Sequence, residues 1–579
     1  MSDHDPFPSL APDDRATVTS HSGALLHEAS LAQSVRLERR LHEVVPGKVW
    51  SLVGNGLSNQ SFVLAPDGII CIDTGESKEE MTSALAELRT VCDAPLAAVL
   101  LTHFHYVGGT TAAFEEAGQE LPVYGHVGID GNLQRAGGVI APTYLRGLVE
   151  QFAIFLPEEG PDSVENVGLG LRYRNPAHAP HAPGYVAPSV TFEGPCRLEV
   201  AGLTIDVDPA PSDADDSVTY WFADDGVAVH NLVWPVLFNV FAIRGEEYRD
   251  PRVLVAGIDR LLALGPEHLV GTHGPPISGA AEVQRRGSGS RDAVQLIWDQ
   301  TVRLANQGHT AKGIAERVSL PASYGDDYLT QELYGLVEHH VRQVRTGLFG
   351  FFDGDVAELL PLPEAERRQR LIDGFGGRSV VTAQIEAALA DEDLRWAIEL
   401  GSWLVGTPEA TDDERRHLAE ALRRVARRTP AANIRSWCLT HALVLEGRLD
   451  LSSLRQPRLS AASVAFTPLS ATIERLRVLV DPAALGDLDS RIRFQCGDEV
   501  AVAHVRRGVV VPQVGPDAAD LVEANFVDMD LELTCTKQEL GELLSGAIGA
   551  SELCEVGTLE LRGDLAALDV LLGALDTTP

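Results

Sequence analysis

Alternating apolar and polar positions dominate the first half of the chain. Residues 49–73 hold two runs, VWSLVG and SFVLAPDGIICID, joined by a Gly/Asn-rich turn at 55–60, and both carry the period-two pattern of strands. Residues 78–92 then take up helical spacing, and the short apolar run 97–101 ends at Thr102-His103. Strand, helix, strand and then histidines predicts an α/β layer whose strand ends open onto a site. LPVYGH, TFEGPCRLEVAGLTIDVDP, SVTYWFADDGVAVHNLV and EHLVGTHGPP extend the strand pattern, with a helix predicted over 251–264. The prolines of NPAHAPHAPGYVAP (175–188) forbid regular structure and predict a surface loop carrying His178 and His181.

The period changes further on. Residues 283–292, containing RRGSGSR, have linker composition, and from 293 to 445 helices dominate: Trp396, Leu400 and Trp403, then Leu418, Leu422 and Val425, fall at helical spacing, with helices expected over 383–405 and 411–428. From about 451 the pattern returns to strands at 491–495, 500–505 and 508–512. A capping box at Thr536 with Glu539 starts a helix, and GTLELRGDLAALDVLLGALD reads as strand, Asp564 cap and helix. Three domains are expected, at 1–300, 301–450 and 451–579.

A length of 579 residues fits several cores rather than one. The formal charge of −36 argues against a nucleic-acid partner, because no Lys/Arg stripe exists to neutralise phosphates. No run of about 18 apolar residues is present to span a bilayer. Residues 1–14 lack the basic and apolar regions of a secretory signal. Seven scattered cysteines form no paired spacing. The expectation is a cytoplasmic protein.

The sharpest chemical signal is LTHFHYVGG (101–109), where His103 and His105 stand at i and i+2 just after a strand and can grip one metal. In its wider context this motif resembles that of the metallo-β-lactamase superfamily, and of its alkyl sulfatase branch, over essentially the whole chain. The family motif T-H-x-H-x-D-H-x-G-G is matched by Thr102, His103, His105, Gly108 and Gly109. Ser212-Asp213-Ala214-Asp215-Asp216 resembles the branch's Thr-Glu-Ala-Pro-Ala-Glu, and Val229-His230-Asn231 its Ala-Glu-Asn. The Ile243-Arg244-Gly245 segment with Arg249-Asp250, and His273-Gly274-Pro275, also have counterparts. GHTAKGIAERVSLP, GLFGFFDGDVAELLPLP and DLRWAIELGSWLV resemble the alkyl sulfatase dimerisation domain, and the C-terminus resembles a sterol-carrier-like domain. The resemblance implies an α/β fold, a metallo-β-lactamase-like αββα sandwich, followed by an all-α dimerisation domain and an α+β sterol-carrier-like domain.

The departures carry as much information as the matches. The Asp and His that hold the second metal in the family motif are missing here, where only Tyr106-Val107 precede the glycines, and His230 stands in place of the bridging acid. What remains for a single ion is His103, His105, Asp213 and His230, with His273 nearby. Three ligands and an open position would let Zn²⁺ acidify water, while two His and a carboxylate equally suit Fe²⁺. His178 or His181 is the replacement ligand if the alignment misleads. Arg244 is expected to bind the substrate's anionic group, against the plainer reading of an ion pair with Glu246, Glu247 or Asp250. Tyr106 is a candidate to coordinate, donate a proton or pack. Asp215 and Asp216 are candidates to orient ligands. The branch's polar Thr-His-Thr-Leu-His-Asn segment has become WPVLFN (234–239), an apolar one.

Three functions follow. The first is a homodimeric hydrolase using one divalent ion, zinc first and iron as alternative, on a small amphiphilic ester. The second is a non-hydrolytic iron enzyme, an oxygenase or a lyase. The third is a metal-free scaffold or lipid-binding protein.

Overall fold

A computed structural model describes residues 17–454, 459–513 and 529–576. Residues 1–14, read above as lacking a secretory signal, lie outside these. The chain forms two compact units, one of residues 1–133 and 147–450, the other of 134–146 and 451–579.

The first unit opens with a hairpin, β1 (Thr17–Thr19) and β2 (Leu25–His27), and then builds two sheets. Seven strands, β3 (Arg40–Val45), β4 (Val49–Val53), β5 (Gln60–Ala65), β6 (Gly68–Ile72), β7 (Leu96–Leu100), β8 (Val123–His126) and β9 (Val190–Phe192), lie in sequence order. They are antiparallel as far as β6 and parallel from β6 to β9. The second sheet holds β10 (Cys196–Val200), β11 (Leu203–Pro209), β12 (Val218–Phe222), β13 (Val227–His230), β14 (His268–Gly271) and β15 (Ile277–Ser278), again in order, with β13 and β14 parallel.

The inward side chains of both sheets, among them Val63, Ile70, Ile72, Ala98, Leu100, Ile205, Val207, Tyr220, Val229 and Val270, meet in one apolar core. Helices α1 (Lys78–Leu88) and α2 (Thr110–Ala117) cover the far face of the first sheet through Met81, Ala84, Leu85, Leu88, Ala112 and Ala113. Helices α3 (Pro251–Ala263) and α4 (Ala280–Asn306) belong to the second. This is the αββα sandwich expected from the motifs. Its strands face apolar surroundings on both sides, so β4 and β6 are buried at every residue instead of alternating.

One reading of the sequence does not hold. The Gly/Ser/Arg stretch at 283–292 is the interior of the 27-residue helix α4. Gly287 lies so close to α3 that a Cβ there would come 2.7 Å from Leu262. Its lack of a side chain permits the helix contact, and packing overrides the poor helix propensity. Beyond α4 the unit is helical, its longest helices being α5 (Val337–Phe349), α6 (Arg378–Ala390), α7 (Leu394–Val405), α8 (Asp412–Arg428) and α9 (Ala432–Leu445). The predicted helix over 383–405 is divided between α6 and α7, where Glu392 adopts φ +62°.

The second unit is α+β. Its sheet has the order β18 (Val509–Gln513), β17 (Glu499–Arg506), β16 (Ser490–Cys496), β19 (Leu531–Thr534), β20 (Glu560–Gly563). Helices pack on it around Ile473, Leu476, Ile492, Phe494, Leu531, Leu540 and Leu568. Both hydrogen bonds of the Thr536 capping box form, and Asp564 caps the last helix through Ala566 N.

Candidate metal centre

The site lies where parallel strands end, the usual crevice of an α/β sheet. Strand β7 delivers Thr102 and His103, β6 delivers Asp73, β13 ends in His230-Asn231, and β14 leads into Thr272-His273. Asp73 takes φ +58°. Its carboxylate accepts from Thr102 N at 2.8 Å and from the Thr102 hydroxyl at 2.7 Å. With its proton given to Asp73, the hydroxyl accepts from His103 Nδ1–H at 2.9 Å. The tautomer follows: His103 Nε2 carries a lone pair, as a metal ligand requires. Burial pushes the His103 imidazole down to about 3 and the Asp73 carboxyl up to about 7, the latter against the two Thr102 hydrogen bonds.

A short turn over Phe104–Tyr106 brings His105 back beside His103, ring centroids 5.0 Å apart. Asp213 arrives from the loop between β11 and β12. Its Oδ1 is 3.9 Å from His103 Nε2 and its Oδ2 3.3 Å from His105 Nδ1. One ligand atom from each of His103, His105 and Asp213 lies within 4.8 Å of the others. Burial alone would raise the Asp213 carboxyl, but the two histidines hold it well below the usual range. Beyond that 3.3 Å contact of Nδ1 with Asp213, the two buried ring nitrogens of His105 have no hydrogen-bond partner. Two imidazoles and a carboxylate, one imidazole otherwise unsatisfied, fit a divalent cation. Asn231 Nδ2 donates to Asp213 Oδ1 at 2.6 Å, and Trp234 Nε1 fixes that amide through its Oδ1 at 2.9 Å.

The other candidates are placed differently. His230 is fully buried, and its Nδ1 accepts from Leu232 N (3.1 Å) and Val233 N (3.4 Å), so it closes the turn after β13 and stands outside the group of three. His273 Nδ1–H donates to the Leu57 carbonyl at 3.0 Å. Its Nε2 is therefore the acceptor for the Tyr106 hydroxyl at 3.2 Å. The His273 turn is held by Asn59, which donates to the carbonyls of Gly271 and Gly274. Tyr106 is thus buried, with its phenol on His273. Arg244 pairs with Glu246 and lies over the Phe152 ring at 5.6 Å. Asp215 accepts from Asn132, and Asp216 is fully buried close enough to feel His105. His178 and His181 do not join the group of three. The WPVLFN segment supplies aromatic wall: the Trp234 and Phe238 rings are 4.4 Å apart, and Trp234 also meets His273 and Tyr334.

Sequence reasoning missed Asp73. The only sign was an Asp-Thr-Gly at a strand end, 29 residues before Thr102, through which it supports His103.

The family models for alkyl sulfatase dimerisation and for the alkyl sulfatase C-terminal domain match residues 310–448 and 458–579. A linear primary-alkylsulfatase of Pseudomonas sp. (strain ATCC 19151) is 32% identical over 534 residues, 89% of this chain and 98% of that protein. The chain belongs to the alkyl sulfatase family. An (R)-specific secondary-alkylsulfatase of Pseudomonas sp. is 26% identical over 98% of this chain and 84% of its own length. The solved structure of a stereoselective inverting sec-alkylsulfatase from Pseudomonas sp. superposes with a TM-score of 0.81 at 22% identity, covering all of this chain and 95% of that one. As an alkyl sulfatase relative, the chain is a metal-dependent hydrolase of the metallo-β-lactamase fold. No helix among the described residues is long and apolar enough to cross a membrane.

Proposed function

We propose that this alkyl sulfatase relative hydrolyses sulfate esters of small amphiphilic alcohols using one divalent cation, zinc before iron, held by His103, His105 and Asp213. The observation that carries the reading is the convergence of these three side chains, with His105 making no hydrogen bond outside the group. A cation bound there supplies a Lewis acid and lowers the pKa of water. The protein's own residues do the rest. Asp73 and Thr102 hold His103 in the ligating tautomer. Asn231 and Trp234 orient Asp213. Tyr106 donates to His273 and so occupies the one ring nitrogen that faces the site. Trp234, Phe238 and Tyr334 give an alkyl chain an apolar wall that excludes water. Arg244, by exchanging its Glu246 partner for the sulfate, supplies the local positive charge that an acidic chain otherwise lacks.

The working protein is a homodimer in this reading. The segment after α5 exposes Phe351 (80%), Val356 (80%) and Leu360 (88%) within the matched dimerisation region, large apolar side chains that a partner subunit would cover. All seven cysteines are free thiols, consistent with a reducing cytoplasm.

The test is sulfate release from a linear primary and a secondary alkyl sulfate, with metal content measured on the same sample. Release that disappears in Asp213→Ala, with one zinc per chain, is expected. No release from either ester by the zinc-loaded protein overturns the sulfatase reading, and iron in place of zinc moves it to the iron alternative.

A further inference from the structure

Arg244, Glu246 and Arg249 form a cluster of charges behind the aromatic wall. One oxygen, Glu246 Oε2, pairs with the Arg244 guanidinium and also lies 3.4 Å from Arg249 Nη2. The side chains of Arg244, Glu246 and Arg249 are 7%, 14% and 6% exposed, so salt screens them little. The cluster borders the metal centre: the field of Arg249 reaches His103 and Asp213, and that of Arg244 reaches Tyr106 and Tyr334.

Both arginines are held in place by other contacts. Arg249 Nη1 donates to the carbonyl of Asn239, the last residue of the WPVLFN segment, at 2.7 Å. The Arg244 backbone is gripped by the helix Ala141–Gln151: Arg244 N donates to the Gln151 amide oxygen at 3.3 Å, and a Cβ on Gly147 would stand 2.7 Å from Arg244 Cα. Gln151 Nε2 donates in turn to the Tyr334 hydroxyl at 3.0 Å, which ties this grip to the wall. Glu246 differs, since a glutamate side chain changes position by rotamer alone.

Arg249 offers Glu246 a second seat. A guanidinium holds a carboxylate best through two parallel N–H groups. Glu246 meets only Nη2, at a long distance, while the adjacent Nε of Arg249 is buried and has no hydrogen-bond partner. A forked site for the carboxylate therefore stands beside the one it occupies on Arg244.

We propose that Glu246 is an internal competitor for the substrate's sulfate: it occupies Arg244 in the resting protein, swings onto the Nε–Nη2 fork of Arg249 when the sulfate headgroup arrives, and returns to Arg244 to expel inorganic sulfate after hydrolysis. The inference deepens the sulfate-ester reading and rests on it. Glu246 and Arg249 become specificity residues, because only a headgroup able to displace a buried carboxylate gains Arg244. An uncharged amphiphile does not.

The experiment is calorimetric binding of a linear alkanesulfonate, a headgroup that cannot be hydrolysed, to the metal-loaded full chain at one pH and one salt concentration. Glu246→Gln removes the competing charge at constant shape and should bind about 10-fold more tightly than wild type. Glu246→Ala should do the same. Arg249→Lys keeps a charge and a donor for the Asn239 carbonyl but lacks the fork. It should weaken binding about 10-fold in the wild-type background and change nothing in the Glu246→Gln background. Inorganic sulfate should rank the four proteins in the same order. A purely structural role for Glu246 predicts weaker binding in both of its variants. Glu246→Gln and Glu246→Ala proteins no tighter than wild type, or an Arg249→Lys effect that is equal with and without Glu246, overturn this inference alone. Absence of alkanesulfonate binding by wild type and by every variant sinks the sulfate-ester reading and this inference with it.

Discussion

Replacing Thr102 with valine removes one hydroxyl and almost nothing else, so it isolates what supports the first histidine. Threonine and valine have nearly the same shape, and the Thr102 backbone bonds, N to Asp73 Oδ1 and O from Val218 N, survive the change. Two side-chain hydrogen bonds are lost: the 2.9 Å bond from His103 Nδ1–H and the 2.7 Å bond to Asp73 Oδ2. His103 is 0% exposed, so water does not replace the lost acceptor. An orphaned buried donor costs about 1–3 kcal/mol. If the imidazole escapes that cost by moving its proton to Nε2, the lone pair needed for the ion is gone. Either way the loss falls on cation binding, where removal of a supporting hydrogen bond costs roughly 10- to 100-fold. Competition for zinc against a chromophoric chelator measures it directly, with Thr102→Ser, which restores the hydroxyl, as the control. Equal zinc affinity in Thr102→Val and wild type would refute the chain from Asp73 through Thr102 to His103 as the source of ligand orientation.

Other consequences follow from residues away from the ion. His340 is 0% exposed, its Nδ1 accepts from Phe241 N at 3.2 Å, and burial pushes the imidazole down to about 3 from an ordinary value near 6.5. The unfolded chain takes the proton first, so stability is fully present above pH 6.5 and is lost as pH falls toward 3. His340→Gln, which offers an amide oxygen to Phe241 N, should recover about 2 kcal/mol of the loss between pH 6.5 and 5, read from urea midpoints. Arg423 binds Asp162 through Nε (2.9 and 3.1 Å) and Glu446 through both terminal nitrogens (2.8 and 2.9 Å). Arg423→Ala leaves Asp162, 5% exposed, without its main countercharge, and should cost about 3 kcal/mol by chemical denaturation. Phe351→Ser with Leu360→Ser should weaken self-association in sedimentation experiments while leaving zinc content unchanged, and a double variant that sediments like wild type would remove this segment from the interface.

The sequence was most readable where the chemistry lies close along the chain. His103 and His105 share a strand end two residues apart, and the αββα layers follow from apolar runs that any buried strand needs. Asp213 needed the family motif, since 108 residues separate it from His105. Asp73 was beyond reach because its partnership with Thr102 comes from the parallel register of β6 and β7, which pairs Ile72 with Leu100 and sets the two strand ends side by side. His230 shows the converse. A histidine beside Asn231 on a strand end has the right address for a ligand, yet its Nδ1 is spent on two backbone amides, a local turn geometry that no spacing rule announces. Gly287 and Gly289 read as linker because composition reports propensity, whereas the fit of α4 against Leu262 is decided by a helix that follows α3 only after β14 and β15.

The opening hairpin of the chain carries an implication for biosynthesis. Thr17 donates to the Arg427 carbonyl and Arg435 to the Leu25 carbonyl, each across 410 residues. A ribosome therefore releases β1 and β2 long before α8 and α9, the helices that receive them, exist. The hairpin's earlier partners, Gly160, Pro161, Ser163 and Glu165, are made well before those helices, so its seat forms in two stages, the first from the sandwich and the second only when about three quarters of the polypeptide has emerged.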